Sequence, residues 1–321
     1  MKKSAKIWLM TAVLLMTLGT AMVVSTACSV NGDFTQLGIV KYERNTYEMR
    51  EEFHNISLNS DTADIRFILS ENDTCKVVCD EQEKVKYSVS VEEGTLNIKM
   101  MDKREWFDYI GIFFGEHVVN VYLPKTEYGA LVIEESTGNI EIPGDFQFES
   151  MDISVSTGDV KSSASASGNV KIKASTGDIH VENITAKTMA LSVSTGNVTA
   201  SKVVCEDMTI GVSTGDTYLN DISCQSFTST GSTGDITLKN VIILGKCAIE
   251  RSTGDVKFEG FDAGEITVIT DTGDVTGTFL TGKNFDTETD TGSVKVPQDN
   301  EGGKCEITTD TGDIKITIKT E

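Results

Sequence analysis

The chain has 321 residues, a formal net charge of −21, three prolines and three histidines. So acidic a surface repels nucleic-acid phosphates and anionic membrane faces, which argues against nucleic-acid binding. His54, His117 and His180 are scattered, so neither a histidine-based triad nor a zinc hydrolase has support.

Residues 1–27 carry Lys2, Lys3 and Lys6 and then run from Ile7 to Ala27 almost wholly apolar or small. About 20 such residues span a bilayer, and the basic flank sets the amino terminus in the cytoplasm. The expectation is an uncleaved transmembrane anchor, single-pass in the cell membrane, with the rest of the chain extracellular. A lipid-modified Cys28 and a cleaved signal peptide are the alternatives, although Ser25 stands where a lipoprotein box wants a larger aliphatic residue. Residues 28–50 are polar and mixed, and read as a linker.

Residues 51–125 read as an irregular β section. Asp61-Thr62-Ala63-Asp64-Ile65 and Gly94-Thr95-Leu96-Asn97-Ile98 each carry a turn followed by alternating apolar residues, and are expected to be early coils with long excursions between them. One excursion concentrates Trp106, Phe107, Tyr109, Phe113 and Phe114, aromatics that the later chain mostly lacks. It reads either as a plug over the first coil or as a site for a membrane surface or partner, and these five are the candidate interaction residues.

Residues 126–321 hold a Thr-Gly pair ten times, ending at Gly138, Gly158, Gly177, Gly196, Gly215, Gly234, Gly254, Gly273, Gly292 and Gly312, at intervals of 19 or 20. So strict a period makes each repeat one coil of a solenoid. Counted from the glycine, plus two is Ile, Val or Thr, and plus four is mostly apolar, as Val181, Leu219 and Leu238. That alternation is a short strand with one inward face. Further apolar points fall at plus seven (Ile184, Val203, Ile222, Val241, Phe261, Leu280) and plus twelve (Met189, Met208, Phe227, Ile266, Phe285). In 20-residue coils the latter moves to plus thirteen, giving Met151, Cys247 and Cys305. No coil can bury these points alone, and stacking joins them into one core. The predicted fold is all-β, a parallel β-solenoid of 19–20-residue coils.

Stacked turns bring Asp159, Asp178, Asp216, Asp235, Asp255, Asp274 and Asp313 into a column, interrupted at Asn197 and Ser293. Calcium suits such oxygens, but the Gly-Gly-x-Gly-x-Asp pattern is absent, so no metal or cofactor site is expected. The Asp-Thr-Gly triplets at 271–273, 290–292 and 310–312 imitate an aspartic protease, which needs two carboxylates facing each other; here they share one phase and read as turns. Arg251, the lone arginine after Arg104, reads as a salt-bridged surface residue. Cys205 and Cys224 share plus nine, a small apolar corner, and are either free thiols or an extracellular bridge.

The anchor, the segments at 61–65 and 109–115 and the Ser-Thr-Gly-Asp repeats together resemble a bacterial family of β-strand-repeat domains of unknown function labelled "putative adhesins". The resemblance covers roughly residues 46–321 with the anchor. It implies a membrane-tethered surface β-solenoid with no catalytic residues, whose partner would be a cell-envelope polymer or surface protein. The expected function is a non-enzymatic surface scaffold. A β-helix enzyme acting on polysaccharides and an envelope-stress signalling accessory are the alternatives.

Overall fold

The computed structural model describes residues 3–29, 43–72, 74–106, 117–298 and 301–319. Helix Lys3–Ser29 contains a stretch, Trp8–Ser25, long and apolar enough to cross a membrane, and none of that stretch is buried against the rest of the chain. The strands that follow join into one 26-stranded sheet wound as a β-solenoid.

The regular coils obey the period. After each Thr-Gly turn the plus-two and plus-four side chains point inward, as with Ile179 and Val181. The chain then turns a second corner at plus six, where Asn183, Lys202, Asp221, Asn240 and Gly260 take φ between 52 and 64°. Glycine, asparagine and aspartate accept that left-handed conformation at small cost, and lysine does so less readily. Beyond it the third column pairs in parallel register, Met189 to Met208 to Phe227 to Cys247 to Ile266, each at most 1 % exposed. The extra residue of the 20-residue coils is thus absorbed before this column, as the displaced sequence position requires. Leu280 departs from expectation. The register slips by one around Gly260, so Phe279 takes the place beside Phe261 and Leu280 is left 36 % exposed.

At both ends, sequence order and stacking order part company. Strand Asn55–Thr62 has Thr95–Asp102 on one side and Glu127–Thr137 on the other, so the chain lays one coil, adds a layer outside it, and returns to begin the regular stack. That outer layer is closed by antiparallel pairs. Val85–Glu92 folds back on Thr95–Asp102, and Glu43–Met49, within the stretch read as a linker, pairs with Cys75–Glu81. Glu93 and Gly94, with φ of 49 and 73°, form the two-residue connection of the first pair. The Gly94 segment is therefore a hairpin turn and not the coil turn expected, because two successive left-handed residues reverse the chain. At the other end Val256–Thr272 stacks on Lys304–Thr311, whose far side holds Asn284–Thr291. The last coil in sequence is inserted beneath the penultimate one, which finishes the stack with Phe285 half-buried and Val294 44 % exposed.

Candidate functional site

The turn column is built from backbone outward. From Gly158 to Gly273 the turn glycines have φ between 127 and 157°, and a Cβ on any of them would lie 2.0–2.1 Å from the carbonyl oxygen of the turn glycine in the preceding coil. Only glycine satisfies both the angle and the close approach. The following residue ties one coil to the next. Asp159 Oδ1 accepts the Asp178 N–H at 2.8 Å, Asp178 that of Asn197 at 2.7 Å, and Asn197 that of Asp216 at 2.9 Å. Asp216, Asp235 and Asp255 continue the chain to Asp274 at 2.8–2.9 Å. Asn197 is no interruption, since an amide oxygen accepts as a carboxylate does. The final rungs run Asp274 to Asp313 to Ser293, so Ser293 is the end of the ladder and not a gap in it. The backbone N–H and the hydroxyl of Ser293 both donate to Asp313 Oδ1, and these bonds hold its pKa below the usual carboxylate range. The Asp-Thr-Gly carboxylates Asp271, Asp290 and Asp310 are exposed at the same phase of stacked coils and form no facing pair. Among the described residues, no group of three or more His, Cys, Asp or Glu is arranged to hold a metal ion.

Arg251 corrects its sequence reading. It is 2 % exposed, inside the stack, and among the described residues forms no ion pair. Its Nη2 donates to Thr217 Oγ1 at 3.2 Å and Ser229 Oγ at 2.9 Å, while its Nη1 occupies the space that a side chain at Gly231 would fill. Neighbouring coils carry Val198 and Ile236, Ile210 and Ile249, and Val212 at those three places. Burial pushes the guanidinium pKa down, against the raising influence of Asp216 and Asp235. An arginine so enclosed cannot reach a substrate in a surface cleft.

Outside this region, Ser192, Gly211, Ser213, Thr230, Ser232 and Glu250 line a shallow, hydroxyl-rich groove of about 320 Å³. It exists because serine and glycine fill outward positions that elsewhere hold Lys173 or Ile269.

The amino-terminal section holds polar chemistry of another kind. Glu81, fully buried, accepts from Tyr47 Oη at 2.7 Å, Asn45 Nδ2 at 2.6 Å and the Tyr87 N–H at 2.8 Å, with Lys86 Nζ at 3.5 Å. Burial alone would raise its pKa, but these bonds outweigh it and the net shift is downward. Glu135, 4 % exposed, fares otherwise. Its Oε1 accepts the Ala63 and Thr137 N–H groups at 3.2 Å, its Oε2 finds no hydrogen-bond partner among the described residues, and burial raises its pKa to about 7. Sequence reasoning missed both, yet each left a signal. Glu135 occupies the inward column of Val155, Ala174 and Val193, and Glu81 shares the inward parity of Cys75, Val77 and Cys79. Of the candidate interaction residues, Trp106 is 77 % exposed, whereas Phe107, Tyr109, Phe113 and Phe114 lie outside the described residues.

This architecture, a parallel β-solenoid with glycine turns stacked in register, defines the class of protein. The chain belongs to the Toastrack DUF4097 family, which matches residues 53–239 and 206–321. No curated protein matches it. Solved structures similar to it include a "putative adhesin" from Parabacteroides merdae (12 % identity, 87 % of this chain and 98 % of that one, TM-score 0.45). Others are a "putative lipid binding protein" from Parabacteroides distasonis (15 %, 86 % and 97 %, 0.44) and a "putative adhesin" from Bacteroides fragilis (12 %, 86 % and 97 %, 0.39).

Proposed function

We propose that the protein is a non-enzymatic scaffold of the cell surface, tethered by its amino-terminal helix, with the solenoid outside the cell and its outward columns engaging an envelope polymer or surface protein. One observation carries the reading: the polar groups from which a β-helix enzyme would be assembled are committed to the fold. Arg251 is enclosed, and the turn carboxylates accept backbone N–H groups of the next coil. Facing outward are the hydroxyls and Glu250 of the groove, and Trp106 is exposed where the aromatic excursion begins. Helix Lys3–Ser29 supports the tether, because Trp8–Ser25 meets the length and hydropathy of a span.

The test is binding of the full chain in nanodiscs to an array of glycans and purified wall polymers, with product analysis on every ligand retained. Retention of intact ligand is the expected result. Release of new reducing or unsaturated ends would favour the polysaccharide enzyme, and no retention of any polymer would end the envelope-ligand reading.

A further inference from the structure

The two cysteines at plus nine lie in neighbouring coils, and the backbone places them side by side. The Cys205 N–H donates to the carbonyl of Ser223, the residue before Cys224, at 3.1 Å, and Val204 pairs with Ser223 in parallel register. Parallel neighbours stand about 4.8 Å apart, inside the window of roughly 4.4–6.8 Å that a disulfide spans between Cα atoms. The two thiols are close enough to perturb each other's ionisation, and both are free. The other buried thiols have no such neighbour. Cys247 and Cys305 occupy one column, but Ile266 stands between them. Cys75 and Cys79 share one face of a single strand, about 13 Å apart at the rise of an extended chain.

We propose that Cys205 and Cys224 are a redox-active pair that closes into a disulfide, stapling the Gly196 coil to the Gly215 coil at their outer corner. Cys205 is the attacking group. It is the more exposed of the two, 8 % against 3 %, and the neighbouring Cys224 lowers its pKa while that of Cys224 is raised. The oxidant is a small-molecule disulfide. The Cys205 thiolate attacks one of its sulfurs, the original S–S bond breaks, and one thiolate leaves. Cys224 then gives its proton to solvent and attacks the Cys205 sulfur, expelling the second thiolate. Two protein thiols lose two electrons and the small disulfide becomes two thiols, so the exchange balances.

The fold tolerates the variants needed. Ala186 and Ala263 occupy this same column in other coils, so C205A/C224A keeps the corner filled. The full chain carrying Cys28→Ser, which removes the one exposed thiol, should in detergent, reduced and then incubated with oxidised glutathione, lose the mass of two hydrogens, with the linked peptides carrying residues 205 and 224. Its unfolding temperature should rise by several degrees, while C205A/C224A shows neither change. C224A should instead retain one glutathione on Cys205, since the resolving thiol is gone. Two freely alkylated thiols at 205 and 224 after oxidation and denaturation would overturn the proposal, as would linkage to any other cysteine. A bond that forms without raising the unfolding temperature would overturn the stapling role.

Discussion

The middle of the stack and its amino-terminal section solve the same problem by different means. From Gly158 to Gly254 each coil repeats the one before, so, apart from the polar group around Arg251, an inward apolar residue meets its counterpart and the turns bond through Oδ1 to N–H. In the amino-terminal section no further coil lies beyond the last layer among the described residues. Antiparallel strands close it, and the carboxylates Glu81 and Glu135 enter the interior, Glu135 in the column that the next three coils fill with Val155, Ala174 and Val193. Uniform stacking makes each position intolerant in the same way. Closing a stack makes each position particular.

The sharpest test of that difference sets Gly215 against Ala63. Gly215 has φ of 136°, and a Cβ there would fall 2.0 Å from the Gly196 carbonyl oxygen. Gly215→Ala should cost about 4 kcal/mol or more, since backbone strain and overpacking add at a site where neither neighbouring coil can yield. Limited proteolysis should show cleavage spreading to adjacent coils, because repeat stability resides in nearest-neighbour contacts. Ala63 holds the equivalent turn position beneath Gly138, is 2 % exposed and does not require a left-handed angle. Ala63→Gly should cost about 1 kcal/mol. Equal losses at the two sites would erase the distinction.

Acidity separates the regions next. Glu135 has its folded pKa raised, mainly by burial, from 4.5 to about 7. Below about 4.5 both folded and unfolded chains carry its proton and its contribution is fully present. Between 4.5 and 7 the unfolded chain releases that proton first, so stability falls as pH rises, by about 3 kcal/mol in all. The measurement is urea unfolding of the wild type and Glu135→Gln across pH 4–8. The difference between them should fall through that window and level off above it. A constant difference would mean that folding leaves the ionisation of Glu135 unchanged.

How much of this was legible depended on repetition. Ten copies of Thr-Gly averaged out the accidents of single residues, so the inward columns could be counted directly, including their displacement at Met151, Cys247 and Cys305. What occurs once has no such averaging. Arg251 reads as a surface residue until Thr217, Ser229 and Gly231 are seen to have surrendered the apolar side chains around it, and those three lie in other coils. The exchange of the last two coils was hidden for a related reason: identical turns fit one another in either order, so the period says that coils stack but not which stacks on which. Gly94 misled because a glycine before alternating residues suits a hairpin as well as a coil.

The smallest predicted effect lies within the regular stack and measures how regular it is. The plus-six corner is left-handed in five successive coils, and four of them use asparagine, aspartate or glycine; Lys202, with φ of 53°, is the exception. A side chain without a short polar group to bond locally holds this conformation at a cost of roughly 1 kcal/mol. Lys202 has some compensation in its Nζ, 3.4 Å from Glu182 Oε1, but both side chains are substantially exposed, and such a pair contributes little. Lys202→Asn should therefore raise stability by about 0.5–1 kcal/mol, seen as a small increase in unfolding temperature that persists at high salt. A decrease that disappears at high salt would show that the ion pair with Glu182, and not the corner geometry, governs the position.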